Sequence, residues 1–315
     1  MKVDLIQLSG VSFAYPDATP ALTDIDFSVS AGERVALLGP NGAGKSTLFQ
    51  LFNGLLQPTR GVVTIKGRVV EKAYLKEVRR MIGMVFQDPD DQLFSSTVRQ
   101  EIAYGLINLG VAGDRMEEAI AWALQMVGLS GYENKNPFNL SGGEKKRAAL
   151  ASVLAMHPEV LVLDEPTAAL DPVGAAQIIK LLNHINGELG ITLVFATHDV
   201  DAVPLMADRV YVMDKGKIRL SGPTGEVFAR KDLIRAHNLR LPRVAHLAEL
   251  LERYGEYRFP VIPLTIGEAK KMLLEHAAHR ETDVPGSKSE SVRPCREKLD
   301  RPGGRKGRGC GRIRD

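Results

Sequence analysis

Nine residues, Gly39-Pro-Asn-Gly-Ala-Gly-Lys45-Ser46-Thr47, constrain this chain more than any other stretch. They fit the pattern G-x-x-x-x-G-K-[ST], directly after the apolar run Val35 to Leu38 and ahead of a helix-compatible segment. Glycines in such a turn let backbone N–H groups point inward around phosphate oxygens, and the helix that follows aims its positive end at the same charge. Gly39, Pro40, Asn41, Gly42, Ala43, Gly44 and Thr47 would line that cradle. Lys45 would neutralise β/γ phosphate oxygens and the Ser46 hydroxyl would ligate Mg²⁺. Taken alone, a plain glycine turn also satisfies the pattern.

A second feature argues against the plain turn. Leu161-Val162-Leu163-Asp164-Glu165 is a buried-type strand that ends in two carboxylates. By itself such a pair also serves as a helix cap or a solvated turn. Joined to the phosphate loop, it predicts that Asp164 holds Mg²⁺ through water and that Glu165 accepts a proton from an attacking water. A third stretch, Leu140-Ser141-Gly142-Gly143-Glu144, runs into the helix-compatible segment Lys145 to Met156 and forms another potential anion cradle.

Between 3 and about 235, short β-branched runs alternate with longer amphipathic ones, the pattern of an α/β protein with a largely parallel sheet. Strands are predicted at Arg34–Leu38, Gly83–Phe86, Val160–Leu163, Thr192–Ala196 and Arg209–Met213. Leu5–Phe13, Ile25–Val29 and Gly61–Ile65 are separated by turns without helices and predict a small antiparallel layer. A helical insertion is expected from about 96 to 157, with Met116 to Val127 at helical spacing. Over 236–280, Val244, Leu247, Leu251 and Tyr254 share a helical face, and Thr265 with Glu268 has capping-box spacing, predicting a small helical appendage.

With 44% apolar and 25% charged residues, a chain of 315 residues has ample material for a folded core. No apolar run approaches the roughly 20 residues that cross a bilayer, and the acidic start Met-Lys-Val-Asp-Leu argues against export. The tail 281–315 is expected to be disordered. From 285 onward it is rich in Gly, Pro, Ser and Arg, with ten Lys/Arg against four Asp/Glu and both cysteines, Cys295 and Cys310. A net charge of +3 concentrated in that tail gives no ground to expect nucleic-acid binding, and the tail has no assigned function. His184, His237, His246, His276 and His279 form no metal-ligand spacing, so metal specificity is not expected in this chain.

Leu-Ser-Gly-Gly shortly before an apolar strand ending in Asp-Glu resembles the signature motif of ABC ATPases. The resemblance extends in family order to six motifs and implies the ABC-type nucleotide-binding fold of P-loop NTPases: a RecA-like core, an antiparallel β layer and a helical subdomain. It implies ATP with Mg²⁺ as ligands. Tyr15 sits where family members stack an aromatic ring on adenine. Gln87 matches the Q-loop glutamine that senses Mg²⁺ and water and touches the transporter. Asp171, in Ala169-Leu170-Asp171, matches the D-loop, and His198 matches the switch histidine on the γ-phosphate. Catalysis is thereby expected from Glu165, His198 and Gln87, and Mg²⁺ ligation from Ser46, Gln87 and Asp164. The family works as a head-to-tail dimer in which Ser141, Gly142 and Gly143 of one cassette complete the site against Lys45 of the other.

Val85-Phe-Gln-Asp-Pro-Asp-Asp-Gln-Leu-Phe94 and Asn108-Leu-Gly110 resemble the ATPases of energy-coupling factor (ECF) importers. Thr197-His-Asp-Val-Asp-Ala-Val-Pro204 and Leu239-Arg-Leu-Pro242 are most similar to the cobalt/nickel members. This implies a peripheral protein on the cytoplasmic membrane face, a second ATPase subunit as partner with a homodimer favoured, a transmembrane coupling subunit, and a membrane substrate-binding subunit. Acidic Asp88 to Asp91 could pair with basic residues of the coupling subunit. Cobalt, nickel or a vitamin could be energised by the same cassette. Soluble ABC ATPases of the ribosome or chromosome carry two cassettes or a long coiled coil, neither of which is present.

Overall fold

The computed structural model describes residues 4–255 and 257–282. Val3 and the basic tail from 283 on, with Cys295 and Cys310, lie outside the described residues. Two compact units divide the chain: Met1–Leu273, which holds both sheets, and Leu274–Asp315.

Strands β1 (Asp4–Ala14) and β2 (Pro20–Ser30) pair antiparallel. β3 (Arg34–Leu38) ends at the glycine loop, which opens α1 (Lys45–Phe52). The hairpin of β4 (Arg60–Ile65) and β5 (Arg68–Val69) leads to α2 (Leu75–Met81) and β6 (Ile82–Val85). Helices α3 (Val98–Asn108), α4 (Asp114–Met126) and α5 (Gly142–Leu154) follow, where the helical insertion was expected. β7 (Val160–Asp164), α6 (Pro172–Leu189), β8 (Thr192–Thr197), α7 (Val203–Met206), β9 (Arg209–Asp214) and β10 (Lys217–Pro223) finish the sheets. The helices α8 (Thr224–Ala229), α9 (Lys231–Ala236), α10 (Arg243–Tyr254) and α11 (Ile266–Thr282) come last.

The antiparallel sheet runs β2-β1-β4-β5 and the larger sheet β10-β9-β3-β8-β7-β6, in which only the β10–β9 pair is antiparallel. Strand residues alternate between faces, and here both faces are buried. Ala36, Leu38, Leu161, Leu163, Leu193 and Phe195 enter the core shared with α3 to α6. Val35, Leu37, Val160, Val162, Val194 and Ala196 enter the core shared with the antiparallel sheet and α1. Hence these strands read as unbroken apolar runs. Leu241, Ala245 and Leu264 pack into the same core as the helical insertion.

Three expectations are adjusted. β3 and α1 stand between β2 and β4, so the runs of the antiparallel layer are not all free of intervening helices, because the glycine loop must open a helix at this point of the chain. β6 closes at Val85 rather than Phe86, because the side chain of Gln92 takes the Phe86 N–H at 3.1 Å and ends the ladder. In α10 the buried positions are Ala245 and Ala248, while Leu247 and Tyr254 of the expected apolar face are exposed. The Thr265–Glu268 capping box forms: Glu268 N–H donates to Thr265 Oγ1 at 3.2 Å and Glu268 Oε2 accepts from Thr265 N–H at 3.3 Å. Among the described residues no helix is long and apolar enough to cross a membrane.

Candidate functional site

Because β3, β8, β7 and β6 lie side by side and parallel, the loops after them emerge along one edge of the sheet, where ligands of such sheets bind. The glycine loop, His198, Glu165 and Gln87 therefore converge from positions far apart in the chain. Tyr15, the glycine loop, Gln87, Asp164 and Glu165 line a cavity of about 350 Å³. Gly44 caps α1 with φ at 100°, and a Cβ there would stand 2.8 Å from the Ala21 carbonyl oxygen. Only glycine brings the helix N-terminus this close to the wall of β2. Lys45 folds along the loop, its Nζ donating to the Gly39 and Pro40 carbonyls at 2.7 and 3.0 Å. Burial pulls its pKa down, while Glu165 and Asp164 pull it up in part.

Ser46 Oγ donates to Asp164 Oδ2 at 2.6 Å, joining the start of α1 to the end of β7. Burial raises the Asp164 pKa, and the Ser46 hydroxyl works against that shift. The pair presents hard oxygen donors side by side, with Gln87 lining the same cavity, and that donor chemistry fits Mg²⁺. Glu165 is buried and adopts a left-handed backbone, φ 48°. One carboxylate oxygen is 2.8 Å from His198 Nδ1 and the other accepts from Thr197 Oγ1 at 3.2 Å. In this structure the switch-type histidine is thus a partner of Glu165. Tyr15 Oη lies 2.9 Å from Thr47 Oγ1, its partly exposed ring edge-on to Phe13.

Ser141 caps α5 through a reciprocal capping box: its Oγ accepts from Glu144 N–H, and Glu144 accepts from Ser141 N–H at 2.8 Å. Bonds donated to its carboxylate by the Ser141 hydroxyl at 2.7 Å, by the Ser141 N–H and by the Tyr132 hydroxyl at 2.8 Å hold the Glu144 carboxyl down to about 2. Ser141, Gly142 and Gly143 line an open hollow of about 410 Å³ with Asp171, which caps α6 by accepting from Gly174 N–H at 2.6 Å. Gly142 also lines a cavity shared with Ser46, Gln87 and Asp164, whereas Ser141 and Gly143 are absent from the linings of the cavities that hold Lys45 or Ser46.

A mainly apolar hollow of about 560 Å³ opens between α3 and α5, walled by Phe94, Tyr104 and Met156. Phe94 and Tyr104 are 61% and 53% exposed and stacked edge to face, a contiguous display of aromatic surface. Buried Glu101 fixes that wall by accepting the Phe94 and Ser95 N–H groups at 3.0 and 2.8 Å. Lys145 pairs with Asp90 at 2.7 Å, and both line the cavity that holds Gln87 and Ser46.

Three residues that position the site escape sequence reading: Gln92, which spans from Phe86 N–H to the Ala149 carbonyl, Thr197, and Lys146, whose ammonium meets the turn after Glu165. The only signal for Thr197 is its place before His198 and for Gln92 its place in the stretch Val85 to Phe94; for Lys146 nothing local in the sequence marks it.

The ABC transporter family pattern matches residues 22–168. Over 85% of its length the chain is 56% identical to a putative ABC transporter ATP-binding protein of Clostridium acetobutylicum, covering 96% of that protein. It is 51% identical to the energy-coupling factor transporter ATP-binding protein EcfA of Methanocaldococcus jannaschii, covering 86% of this chain and 98% of the other. Among solved structures it is similar to cbiO1 of Clostridium perfringens, described as part of the ABC transporter complex cbiONQ. That match has a TM-score of 0.69 and 45% identity, over 79% of this chain and 100% of cbiO1.

Proposed function

Because the chain belongs to the ATP-binding proteins of ABC transporters, we propose that it powers an ECF-type importer of cobalt or nickel ions. As a member of that family it is an ATP-binding, ATP-hydrolysing subunit, and ECF ATPase subunits work as dimers with transmembrane components. The observation that carries the catalytic assignment is the meeting of Ser46 with Asp164 at 2.6 Å, one residue from a Glu165 held by His198 at 2.8 Å, beside the glycine loop. The stretches Thr197 to Pro204 and Leu239 to Pro242, which resemble the cobalt/nickel members, support the metal assignment.

In this reading the backbone N–H groups of Asn41 to Thr47 and the Lys45 ammonium bind the β- and γ-phosphates of ATP, and the Tyr15 ring stacks on adenine. Ser46, Asp164 and Gln87 hold Mg²⁺, which when bound neutralises the charge on the phosphate oxygens. Glu165 accepts a proton from the attacking water, and His198 and Thr197 orient its carboxylate. Two chains pack head to tail so that Ser141, Gly142, Gly143 and Asp171 of each close the other's site. ATP binds the closed dimer better than the open one, so binding drives closure and hydrolysis releases it. Residues 3–235 form the ATPase domain, with the helical subdomain at about 96–157. The exposed Leu247 and Tyr254 within 236–280 suit a dimer contact. Asp88 to Asp91 suit a basic element of the membrane coupling subunit and the Phe94–Tyr104 hollow, which Lys76, Arg79 and Arg80 also line, suits an apolar one, and the protein works as a peripheral subunit on the cytoplasmic face.

Glu165→Gln tests the reading. By light scattering the variant shifts from monomer to dimer with ATP and Mg²⁺, and its ATPase rate falls by about 10²- to 10⁴-fold, the range for loss of a general base. Unchanged ATPase activity would remove Glu165 from catalysis. Cells carrying the variant lose uptake of labelled cobalt or nickel; loss of vitamin uptake alone refutes the metal assignment.

A further inference from the structure

Lys146 is a lysine with an unusual set of partners. It is 8% exposed, and its ammonium donates to three main-chain carbonyls: Glu165 at 3.0 Å, Pro166 at 3.3 Å and Ala168 at 2.7 Å. Three donors meet three acceptors, which uses the full capacity of an ammonium group. The acceptors belong to one tight turn, and that turn contains two side-chain-bearing residues in left-handed conformation, Glu165 at φ 48° and Ala169 at φ 59°. Such conformations persist only where the surroundings over-determine them, and they cluster at functional sites. Pro166 has no N–H of its own; within the turn the Ala168 N–H donates to the Glu165 carbonyl at 3.0 Å, and Lys146 adds a second donor there while also supplying the Pro166 and Ala168 carbonyls. The ammonium comes from α5, five residues beyond the Ser141 cap.

We propose that Lys146 is the positioning residue that holds the turn Glu165–Ala169 in its hydrolysis-competent shape and ties it to the helix that carries Ser141 and Gly143. Bonding to the Glu165 carbonyl fixes the peptide plane from which the Glu165 side chain departs toward Thr197 and His198. Bonding to the Ala168 carbonyl fixes the approach to Asp171. Its neighbour Lys145 reaches to Asp90 in the loop after β6. Two consecutive lysines on α5 therefore hold the coupling-side loop and the catalytic turn from one rigid helix. In the head-to-tail dimer proposed above, on which this inference rests, a chain's α5 faces the partner's nucleotide while its Glu165 acts on its own. Lys146 then links the geometry of the two nucleotide sites.

Steady-state ATPase kinetics and MgATP binding on full-length Lys146→Met and Lys146→Arg, with Glu165→Gln alongside, test the role. Methionine keeps the stem and removes every donor; arginine keeps donors. Lys146→Met is expected to lose about tenfold or more in kcat with the MgATP Kd within about twofold of wild type, because Lys45, Ser46 and Tyr15 are untouched. Lys146→Arg is expected to recover most of that loss. A structural role would instead lower stability and affinity together. A kcat for Lys146→Met within about twofold of wild type, or equal losses in the folded Met and Arg variants, overturns the proposal. If Lys146→Met does not fold, Lys146→Gln, which is shorter and cannot span three carbonyls, takes its place with the same expected loss and the same refuting result. Retained activity in Glu165→Gln brings down the underlying catalytic reading; an inactive Glu165→Gln beside a fully active Lys146→Met refutes the positioning role alone.

Discussion

Substituting alanine at Gly42 and at Gly44 separates two costs of the phosphate loop that a single variant would merge. Both glycines have positive φ, 77° and 100°, but a Cβ at Gly42 meets nothing within 4 Å. At Gly44 it stands 2.8 Å from both the Ala21 carbonyl oxygen and Leu22 Cδ2. A left-handed backbone costs an L-residue about 1–2 kcal/mol, and alanine returns about 0.4–1 kcal/mol by restricting the unfolded chain. Gly42→Ala should therefore lose about 1 kcal/mol. Gly44→Ala carries the same strain plus about 1–3 kcal/mol of overpacking, since a carbonyl of β2 cannot swing aside as a flexible side chain can. The total is about 2–4 kcal/mol. Urea denaturation of the nucleotide-free proteins, followed by circular dichroism, reads the difference directly. Equal losses in the two variants, or a larger loss for Gly42→Ala, would show that the wall of β2 does not set the position of α1.

Other consequences are open to simpler assays. Glu144 has a carboxyl held near 2 against an ordinary value of 4.5, so its stabilising contribution is full above about 4.5 and is lost as pH falls toward about 2. The Tm of wild type should exceed that of Glu144→Gln at pH 7, with the gap narrowing below about pH 4.5; a gap independent of pH refutes the capping-box account. Thr197→Val removes a hydroxyl that donates to Glu165 and accepts the Asp199 N–H at 3.0 Å. It should lower kcat several-fold with little change in MgATP affinity, whereas an affinity loss of the same size would place Thr197 in binding.

The parts of the fold that could be read from sequence are those where local pattern and tertiary setting agree. β3, β7, β8 and β9 are buried on both faces, and their unbroken apolar runs say so. The antiparallel layer was marked by the turn between its first two runs, but its third strand, β4, comes only after β3 and α1, so the expected absence of helices holds between β1 and β2 alone. β10 was not foreseen, because Lys217-Ile-Arg-Leu-Ser-Gly-Pro at a sheet edge buries only Leu220. Its one local signal is the pair Lys215-Gly216, both at positive φ (47° and 71°), the form a two-residue hairpin loop takes. The apolar stripe Val244–Tyr254 had the right period, but period does not say what covers a face, and the chain's own core takes Ala245 and Ala248 instead.

The site divides along a similar line, and the reason is physical. Residues whose chemistry depends on backbone N–H groups or on a strand end carry a local signature, since the spacing itself creates the geometry: the glycine loop, Asp164 with Glu165, and the capped start of α5 are of this kind. Gln92 and Lys146 act instead by reaching across to carbonyls of another element, and such acceptors exist at every residue of every chain. Nothing in the sequence distinguishes a lysine that will meet a turn of carbonyls from one that will face water. Only the packing of α5 against β6 and the neighbouring helices decides, and that packing belongs to the core that Leu150 and Val153 share with Leu161 and Leu163 rather than to the lysine. A catalytic turn held in this way can therefore be damaged from the far side of α5 without touching any residue that contacts nucleotide.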